Sequence, residues 1–264
     1  MKIETPKTLY EFNNLFCKLK NQGIDYYRGQ SDYSWQITTS IARNKGIKNI
    51  EDFLKTEKKI IDNLKNKIRV NNLFDLAPVI NSSYHKSWNF MMIAQHFGFP
   101  TRLMDFSNEP LVGLQFAVDK KQNSDKDGAL IIYHNPNSNY QFVDESTILE
   151  SNFDQTHNSF FFQGISYGYS FNNECYLAER RKLIQGSKFL YRDTNNLHKC
   201  LTLDDNFNED LTIIHIPFQL KSEINEYYHF QDLYRGQNII DRYSKITKGE
   251  YMKLNDGNVK KYLK

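Results

Sequence analysis

The sequence predicts a single α+β domain, and three observations support this class. Segments with apolar residues at helical spacing are interspersed with short β-prone runs rich in Ile, Tyr and Phe. No stretch rich in Pro, Gly or Ser divides the 264 residues into parts, so we assign residues 1–264 to one domain. Hydrophobic residues make up 39% of the chain, which is enough to form a proper core.

The N-terminal part predicts a helix, a strand and a second helix. The first helix covers about residues 6–22, because apolar residues recur at spacings of three and four and Gly23 follows, the apolar set being Leu9, Phe12, Phe16 and Leu19. The β-prone run 24–30 predicts a strand, and the run through Trp35 predicts a strand or loop. An amphipathic pattern predicts a helix over about 50–68.

The middle of the chain predicts a buried helix over 86–97 that ends at Gly98, with Pro100 beyond it. A strand over 101–106 follows. Next comes a helix to about Val118, with Ser107 or Asn108 as its cap and Pro110 in its first turn.

The C-terminal part predicts strands and helices around a long polar segment. Residues 136–171 are polar, aromatic and aperiodic, which predicts a loop or insertion. The aromatic part, 153–171, has two interpretations: a partner surface, or a set of core strands. The remaining predictions are strands at 128–133, 188–191 and 211–216, and helices at 176–185 and after Pro217.

Composition excludes several classes of protein. The charges nearly cancel, with 34 Lys and Arg against 31 Asp and Glu, so net charge alone identifies no nucleic-acid or membrane partner. Cys17, Cys175 and Cys200 are far apart, which argues against a disulfide framework or a structural zinc site. With no secretory or membrane-spanning pattern either, we expect a cytoplasmic protein with no membrane partner and no bound metal.

Common catalytic fingerprints are absent, but polar side chains are concentrated in residues 95–107, QHFGFPTRLMDFS. The candidates are His96, Thr101, Arg102, Asp105 and Ser107. A purely structural interpretation is also open, in which Arg102 pairs with Asp105, Asp105 or Ser107 caps the next helix, and His96 is simply packed.

Arg28 is the other candidate. It stands at the end of a β-prone run and next to Gly29. A rigid guanidinium fork beside an open glycine backbone is suited to binding a phosphate or carboxylate. Together with Arg102, it predicts a locally cationic cleft.

These residues carry a resemblance to a known family. Tyr27-Arg28-Gly29, the run 95–107 with the apolar helix after it, and the segment 180–189 resemble the FRG-domain family of bacterial and phage proteins. The resemblance spans about residues 10–245. Met104 and Phe106 depart from the family's usual leucine and tryptophan.

The order of these elements is similar to that of ADP-ribosyltransferases, and the resemblance implies a small, strongly twisted sheet, split as in those enzymes and flanked by helices. It implies NAD as substrate, with Arg28 and Gly29 on its anionic or ribose part. Thr101, Ser107 or Asp105 would occupy the middle position, and Arg102 would line the same cleft. Electrostatic positioning would be the catalytic device.

The late position of this arrangement is left open by the sequence. Gln185 lies in the matching segment, but glutamine cannot act as a general base, and Glu174 or Glu179 are the alternative carboxylates. His96 is the alternative proton-transfer group, since its reference pKa of about 6.5 suits neutral pH.

Three functions follow as expectations. The first is an ADP-ribosyltransferase-like toxin or antiphage effector that modifies a protein or nucleic acid and has an antitoxin or other defence-system partner. The second is a phosphodiesterase or nuclease that uses His96 and Asp105. The third is a non-enzymatic module that binds an anion or nucleic acid through Arg28 and Arg102.

Overall fold

The computed structural model describes residues 1–20, 25–43, 49–71, 91, 94–95, 99–119, 125–134, 142–143, 159–163, 187–193, 196–197, 199–204 and 209–230. The strands are β1 Lys2–Glu4, β2 Asp25–Gln30, β3 Leu103–Ser107, β4 Gly128–His134, β5 Phe142–Val143, β6 Phe160–Gln163, β7 Ser187–Tyr191 and β8 Leu211–Ile216. The α-helices within these ranges are α1 Leu9–Lys20, α2 Ile50–Asn71, α3 Pro110–Ala117 and α4 Phe218–Tyr227, with a 3-10 turn at Leu201–Leu203.

The strands form one mixed sheet, so the predicted α+β class is confirmed. Its order is β1-β8-β4-β2-β3-β7-β6-β5, with β1 parallel to β8 and β5 parallel to β6. The other neighbours are antiparallel. Eight strands make it larger than the small sheet that we expected, because the predicted insertion 136–171 contributes two of them.

The central strands β2 and β3 are paired over a much shorter length than β2 and β4. Strand β2 pairs with β4 along its whole length, from Asp25 opposite His134 to Gln30 opposite Ala129. Strand β2 is registered with β3 through one residue pair, Tyr27 opposite Ser107. Two half-sheets therefore meet at one point, which we call the joint: β1, β8, β4 and β2 on one side, and β3, β7, β6 and β5 on the other.

Alternation along β2 sends its side chains into two different layers. Tyr27 packs in the apolar cluster that α1, α3 and α4 form on one face. Tyr26 packs in the cluster on the opposite face, and Arg28 and Gln30 share that face by the period of two. The polar side chains of Arg28 and Gln30 therefore lie on the face of the sheet opposite the helices α1, α3 and α4.

The glycine of the Tyr-Arg-Gly motif lies against α3. A Cβ at Gly29 would lie 2.0 Å from the carbonyl oxygen of Gly113 and 2.4 Å from the amide nitrogen of Ala117. These distances are far below normal contact, so only glycine allows α3 to pack this closely on β2. The structure thus gives Gly29 a packing role where we expected an open backbone for a ligand.

The predicted elements are found wherever the structure describes the chain, with one correction. The run through Trp35 forms turns and bends, so the loop alternative is confirmed there. Within the predicted insertion 136–171, β5 and β6 belong to the sheet, and Phe161 is fully buried with its ring 5.2 Å from that of Tyr133. The core-strand interpretation is thus confirmed for Phe160–Gln163.

Two other expectations are affected by the range that the structure describes. Of the predicted helix 86–97, Met91, Ala94 and Gln95 are described and are helical, whereas the predicted helix 176–185 lies outside the described residues. In the part of the chain that is described, none of the helices has the length and apolar character needed to cross a membrane.

Candidate functional site

Arg28 lies directly at the joint. Beyond Tyr27 the two strands separate, and the guanidinium of Arg28 reaches across the opening, where Nη1 donates a hydrogen bond of 2.6 Å to the backbone carbonyl of Asp105 on β3. The side chain is half-buried. One arginine thus bridges the two half-sheets at the point where the sheet opens.

The carboxylate of Asp105 is held in place by a short polar chain. Gln95 Nε2 donates to Asp105 Oδ2 at 2.7 Å, and Thr101 Oγ1 donates to Gln95 Oε1 at 2.5 Å. Asp105 itself is exposed, whereas Thr101 is buried. We call Arg28, Gln95, Thr101 and Asp105 the joint site, since hydrogen bonds connect all four.

A loop at residues 38–43 is attached to the same site. The amide of Thr101 donates to Ser40 Oγ at 3.0 Å, and the amide of Ile41 donates to the carbonyl of Thr101 at 3.2 Å. This attachment brings a second arginine, Arg43, close enough for its charge to act on Arg28. The joint site therefore has two guanidinium groups and one carboxylate nearby.

These charges and the burial of the site set the pKa of Arg28. Burial lowers it most, Asp105 raises it, and Arg43 lowers it again, so that the net shift is downward. The cause is that a partly desolvated cation without a full counter-charge is disfavoured. A bound anion would relieve both the desolvation and the repulsion from Arg43.

Several buried polar atoms on β2 and on the loop 38–43 have no hydrogen-bond partner among the described residues. They are Arg28 Nε, both side-chain amide atoms of Gln30, and Thr38 Oγ1. The side chains of Gln30 and Thr38 are only 3% and 4% exposed. Leaving a buried polar group unpaired costs about 1–3 kcal/mol, so such a group in a cleft indicates a place for ligand atoms.

Comparison with known families identifies this part of the chain. The family model of the FRG domain matches residues 24–126. Residues 24–126 are thus similar to the FRG domain. The match runs from the residue before β2 to the loop before β4 and contains every residue of the joint site. No curated protein and no solved structure matches the chain significantly.

Two more predicted residues of the matched segment, Arg102 and Ser107, lie outside the joint-site network. Arg102 is 2% exposed, and its guanidinium forms an ion pair with Glu57 and donates to the hydroxyl of Tyr191 at 2.7 Å. The pairing of Arg102 with Asp105, which the structural interpretation allowed, is therefore wrong. Arg102 is bound to Glu57, and the carboxylate of Asp105 is bound to Gln95.

Ser107 lies at the joint, but its side chain forms a hydrogen bond with a residue close to it in the sequence. It is buried opposite Tyr27, and its Oγ accepts a hydrogen bond of 2.9 Å from the amide of Glu109. This bond shapes the turn before α3. The N-cap of α3 is Glu109, without a side-chain capping bond, so the predicted cap at Ser107 or Asn108 is wrong.

The remaining candidates fall outside the described residues. His96 and Gln185 lie there, as do Glu174 and Glu179, so their roles remain predictions. Among the described residues, no group of three or more His, Cys, Asp or Glu is placed to hold a metal ion.

The sequence analysis did not predict three residues that the structure brings to this region. Gln95 opens the run 95–107, but its helical pattern assigns it only to a helix end. Gln30 follows Arg28 by two positions, and the period of a strand could have placed both on one face. Arg43 had no local signal, since the loop contact with Thr101 that brings it near is a tertiary one.

Proposed function

We propose that the protein is an ADP-ribosyltransferase-like enzyme that uses NAD as its substrate and modifies a protein or nucleic acid. The observation that carries the proposal is the position of Arg28: a half-buried guanidinium with an unpaired Nε, at the point where a sheet opens into two halves. Such an enzyme would act in the bacterial cytoplasm as a toxin or antiphage effector, with an antitoxin or another defence-system partner.

The joint site suits an anionic ligand with hydroxyl groups. The fork of Arg28 offers Nε to a phosphate oxygen, and Arg43 adds a second positive charge from the loop. The unpaired amide of Gln30 offers one donor and one acceptor on the same face. A dinucleotide carries phosphate oxygens, hydroxyl groups and amides, which together match these groups.

Asp105 gives the site a chemical function beyond binding. In the proposed transfer, the bond between the ribose carbon and the nicotinamide nitrogen breaks, and nicotinamide leaves with the bonding electrons. The acceptor nucleophile then forms a bond to that ribose carbon and loses its proton. The exposed carboxylate of Asp105, oriented by Gln95, would stabilise the positive charge that develops on the ribose.

The identity of the proton acceptor belongs to the proposal as well. His96 adjoins Gln95 in the sequence, and Gln185, Glu174 or Glu179 would supply the late polar group. Of these groups, only a carboxylate or an imidazole can take the proton of the acceptor.

The test is a measurement of NAD turnover with the full chain. Purified protein is incubated with NAD carrying a label on its adenylate part and with bacterial lysate, and both labelled macromolecules and free nicotinamide are quantified. Arg28→Ala should lower nicotinamide release by about 100-fold or more, since a lost electrostatic contact in the transition state has an effect of that order. Arg28→Lys tests the fork separately, because it keeps the charge and loses the second donor.

Lys7→Ala, a change at an exposed lysine, serves as the control and should leave turnover unchanged. Turnover that is equal in wild type and Arg28→Ala would contradict the proposal. NAD binding without nicotinamide release would favour the binding module, and cleavage of added nucleic acid without NAD would favour the phosphodiesterase.

A further inference from the structure

A second polar cluster lies at the other end of β2, where the strand begins. Asp25 on β2, His134 on β4 and Thr212 on β8 stand on three adjacent strands. Asp25 is directly opposite His134, and Thr212 is opposite Ile132, two residues before His134. The side-chain period of two therefore puts all three on the face that α1 covers.

The three side chains form a continuous hydrogen-bonded relay. His134 Nδ1 is 3.1 Å from Asp25 Oδ1, and His134 Nε2 is 2.9 Å from Thr212 Oγ1. The carboxylate of Asp25 is only 2% exposed and also accepts a bond of 3.4 Å from the hydroxyl of Tyr27. In the tautomer with the hydrogen on Nδ1, this nitrogen donates to the carboxylate, and the lone pair of Nε2 is free to accept from the hydroxyl of Thr212.

This arrangement matches that of a catalytic triad, with Thr212 as the nucleophile, His134 as the base and Asp25 as the residue that orients the base. The hydroxyl of Thr212 donates to an imidazole nitrogen that is ready to take its proton, and Asp25 stabilises the imidazolium that would result. The pairing of the three strands brings these residues together, since Asp25 and His134 are 109 positions apart in the sequence and His134 and Thr212 are 78 positions apart.

A cavity gives access to the relay. It has a volume of about 420 Å³, within the usual range of roughly 300–1,000 Å³ for small-molecule sites. Its lining includes His134 and Thr212, the apolar side chains of Met1, Leu15, Leu19 and Leu211, and the charged side chains of Lys2, Glu4, Lys18 and Glu209. The relay thus borders a space with an apolar wall and charged groups of both signs.

We propose that Thr212, His134 and Asp25 form a second reactive site that accepts small esters with an apolar acyl group. In the acyl transfer, Thr212 Oγ forms a bond to the carbonyl carbon while its proton passes to His134 Nε2. The bond from that carbon to the alkoxide breaks, and the alcohol leaves with the proton from His134. Water then hydrolyses the acyl-threonine by the same route and releases a carboxylic acid.

This site is independent of the proposed use of NAD. His134 and Thr212 lie outside the segment that matches the FRG domain, and Arg28 and Gln30 are on the other face of the sheet. Failure of either proposal would therefore leave the other untouched.

The experiment uses a fluorophosphonate, a probe for activated hydroxyl groups, with the full chain and intact-protein mass spectrometry. The expected adduct has one phosphonyl group per chain, formed as the Oγ–P bond forms and fluoride leaves, and peptide mapping should place it on Thr212. His134→Gln should lower the labelling rate by about 100-fold, since the base is lost. Thr212→Ser should retain labelling, and Thr212→Val should abolish it.

Thr202→Val is the matched control, because Thr202 is a partly buried threonine outside the relay. The Thr202→Val protein should be labelled at the same rate as the wild type. Thermal unfolding shows which variants are folded. The proposal is overturned if wild-type protein acquires no adduct above that of heat-denatured protein, or if the adduct maps to another residue. Equal labelling rates in a folded His134→Gln variant and the wild type would overturn it as well.

Discussion

Arg28 and Arg102 show how differently one side-chain type is used within a single domain. Arg102 donates through Nε to both carboxylate oxygens of Glu57 at 2.9 Å and through Nη1 to Tyr191 at 2.7 Å. Its guanidinium also packs on the ring of Phe53 at 5.1 Å from the centroid. Arg28 donates to one backbone carbonyl and leaves its buried Nε unpaired.

The pKa shifts of the two groups point in opposite directions. Burial lowers the pKa of both, but at Arg102 the carboxylate of Glu57 outweighs burial, and the net shift is upward. At Arg28 the carboxylate of Asp105 does not outweigh burial and the charge of Arg43. The charge of Arg102 is balanced by a carboxylate within the fold, whereas the charge of Arg28 is not fully balanced, and an anionic ligand would supply the missing negative charge.

The largest expected effect tests the structural half of this comparison. Arg102→Leu leaves the carboxylate of Glu57 buried beside an apolar side chain, so we expect the free energy of unfolding to fall by about 3–5 kcal/mol. Urea unfolding followed by circular dichroism measures this loss. A loss below about 1 kcal/mol would mean that the pair does not hold α2 to the sheet.

The double variant Glu57→Leu with Arg102→Leu is the matched control. Because it removes both charges and fills similar volume, it should recover most of the stability that the single variant loses. If the double variant is no more stable than Arg102→Leu, then an uncompensated carboxylate is not the cause.

Local patterns predicted most of the described fold, because helical and strand periods report directly which face is buried. The helices α1 and α3 and the strands β2, β4 and β8 follow such patterns. The strands β5 and β6 did not, since they are short and form their pairs with each other and with β7. Their identity depends on tertiary packing around Phe161, which no local period shows.

The candidate site was predictable in part. Motif residues Arg28, Thr101 and Asp105 do come together, linked by Gln95. The sequence could not separate Arg28 from Arg102, because the difference is made by Glu57, which lies 45 positions from Arg102. Partners at such distances along the chain decide whether a guanidinium is already satisfied.

An intermediate effect is expected where Arg102 meets Tyr191. Burial raises the pKa of Tyr191 to about 12, with Arg102 lowering it and Glu57 raising it. Since this folded-state value exceeds the unfolded value of about 10, the contribution to stability is complete below pH 10 and is lost as the pH rises through 12. Tyr191→Phe should cost about 1–3 kcal/mol at neutral pH, because it removes the buried hydrogen bond from Arg102 Nη1 to the hydroxyl of Tyr191.

The same variant should also lose less stability than the wild type between pH 10 and pH 12, as measured by urea unfolding at each pH. Part of the wild-type slope should remain, since burial also raises the pKa of Tyr26 to about 12. Equal slopes in wild type and variant would show that folding does not raise the pKa of Tyr191.

The smallest expected effect on stability belongs to Arg28 and tests the other half of the comparison. Arg28→Leu removes one hydrogen bond to the carbonyl of Asp105, but it also removes a desolvated charge and its repulsion from Arg43. Because these contributions oppose each other, the free energy of unfolding should change by no more than about 1 kcal/mol. Urea unfolding beside Arg102→Leu measures the contrast, and a loss as large as that of Arg102→Leu would make Arg28 a structural residue and remove the distinction between the two arginines.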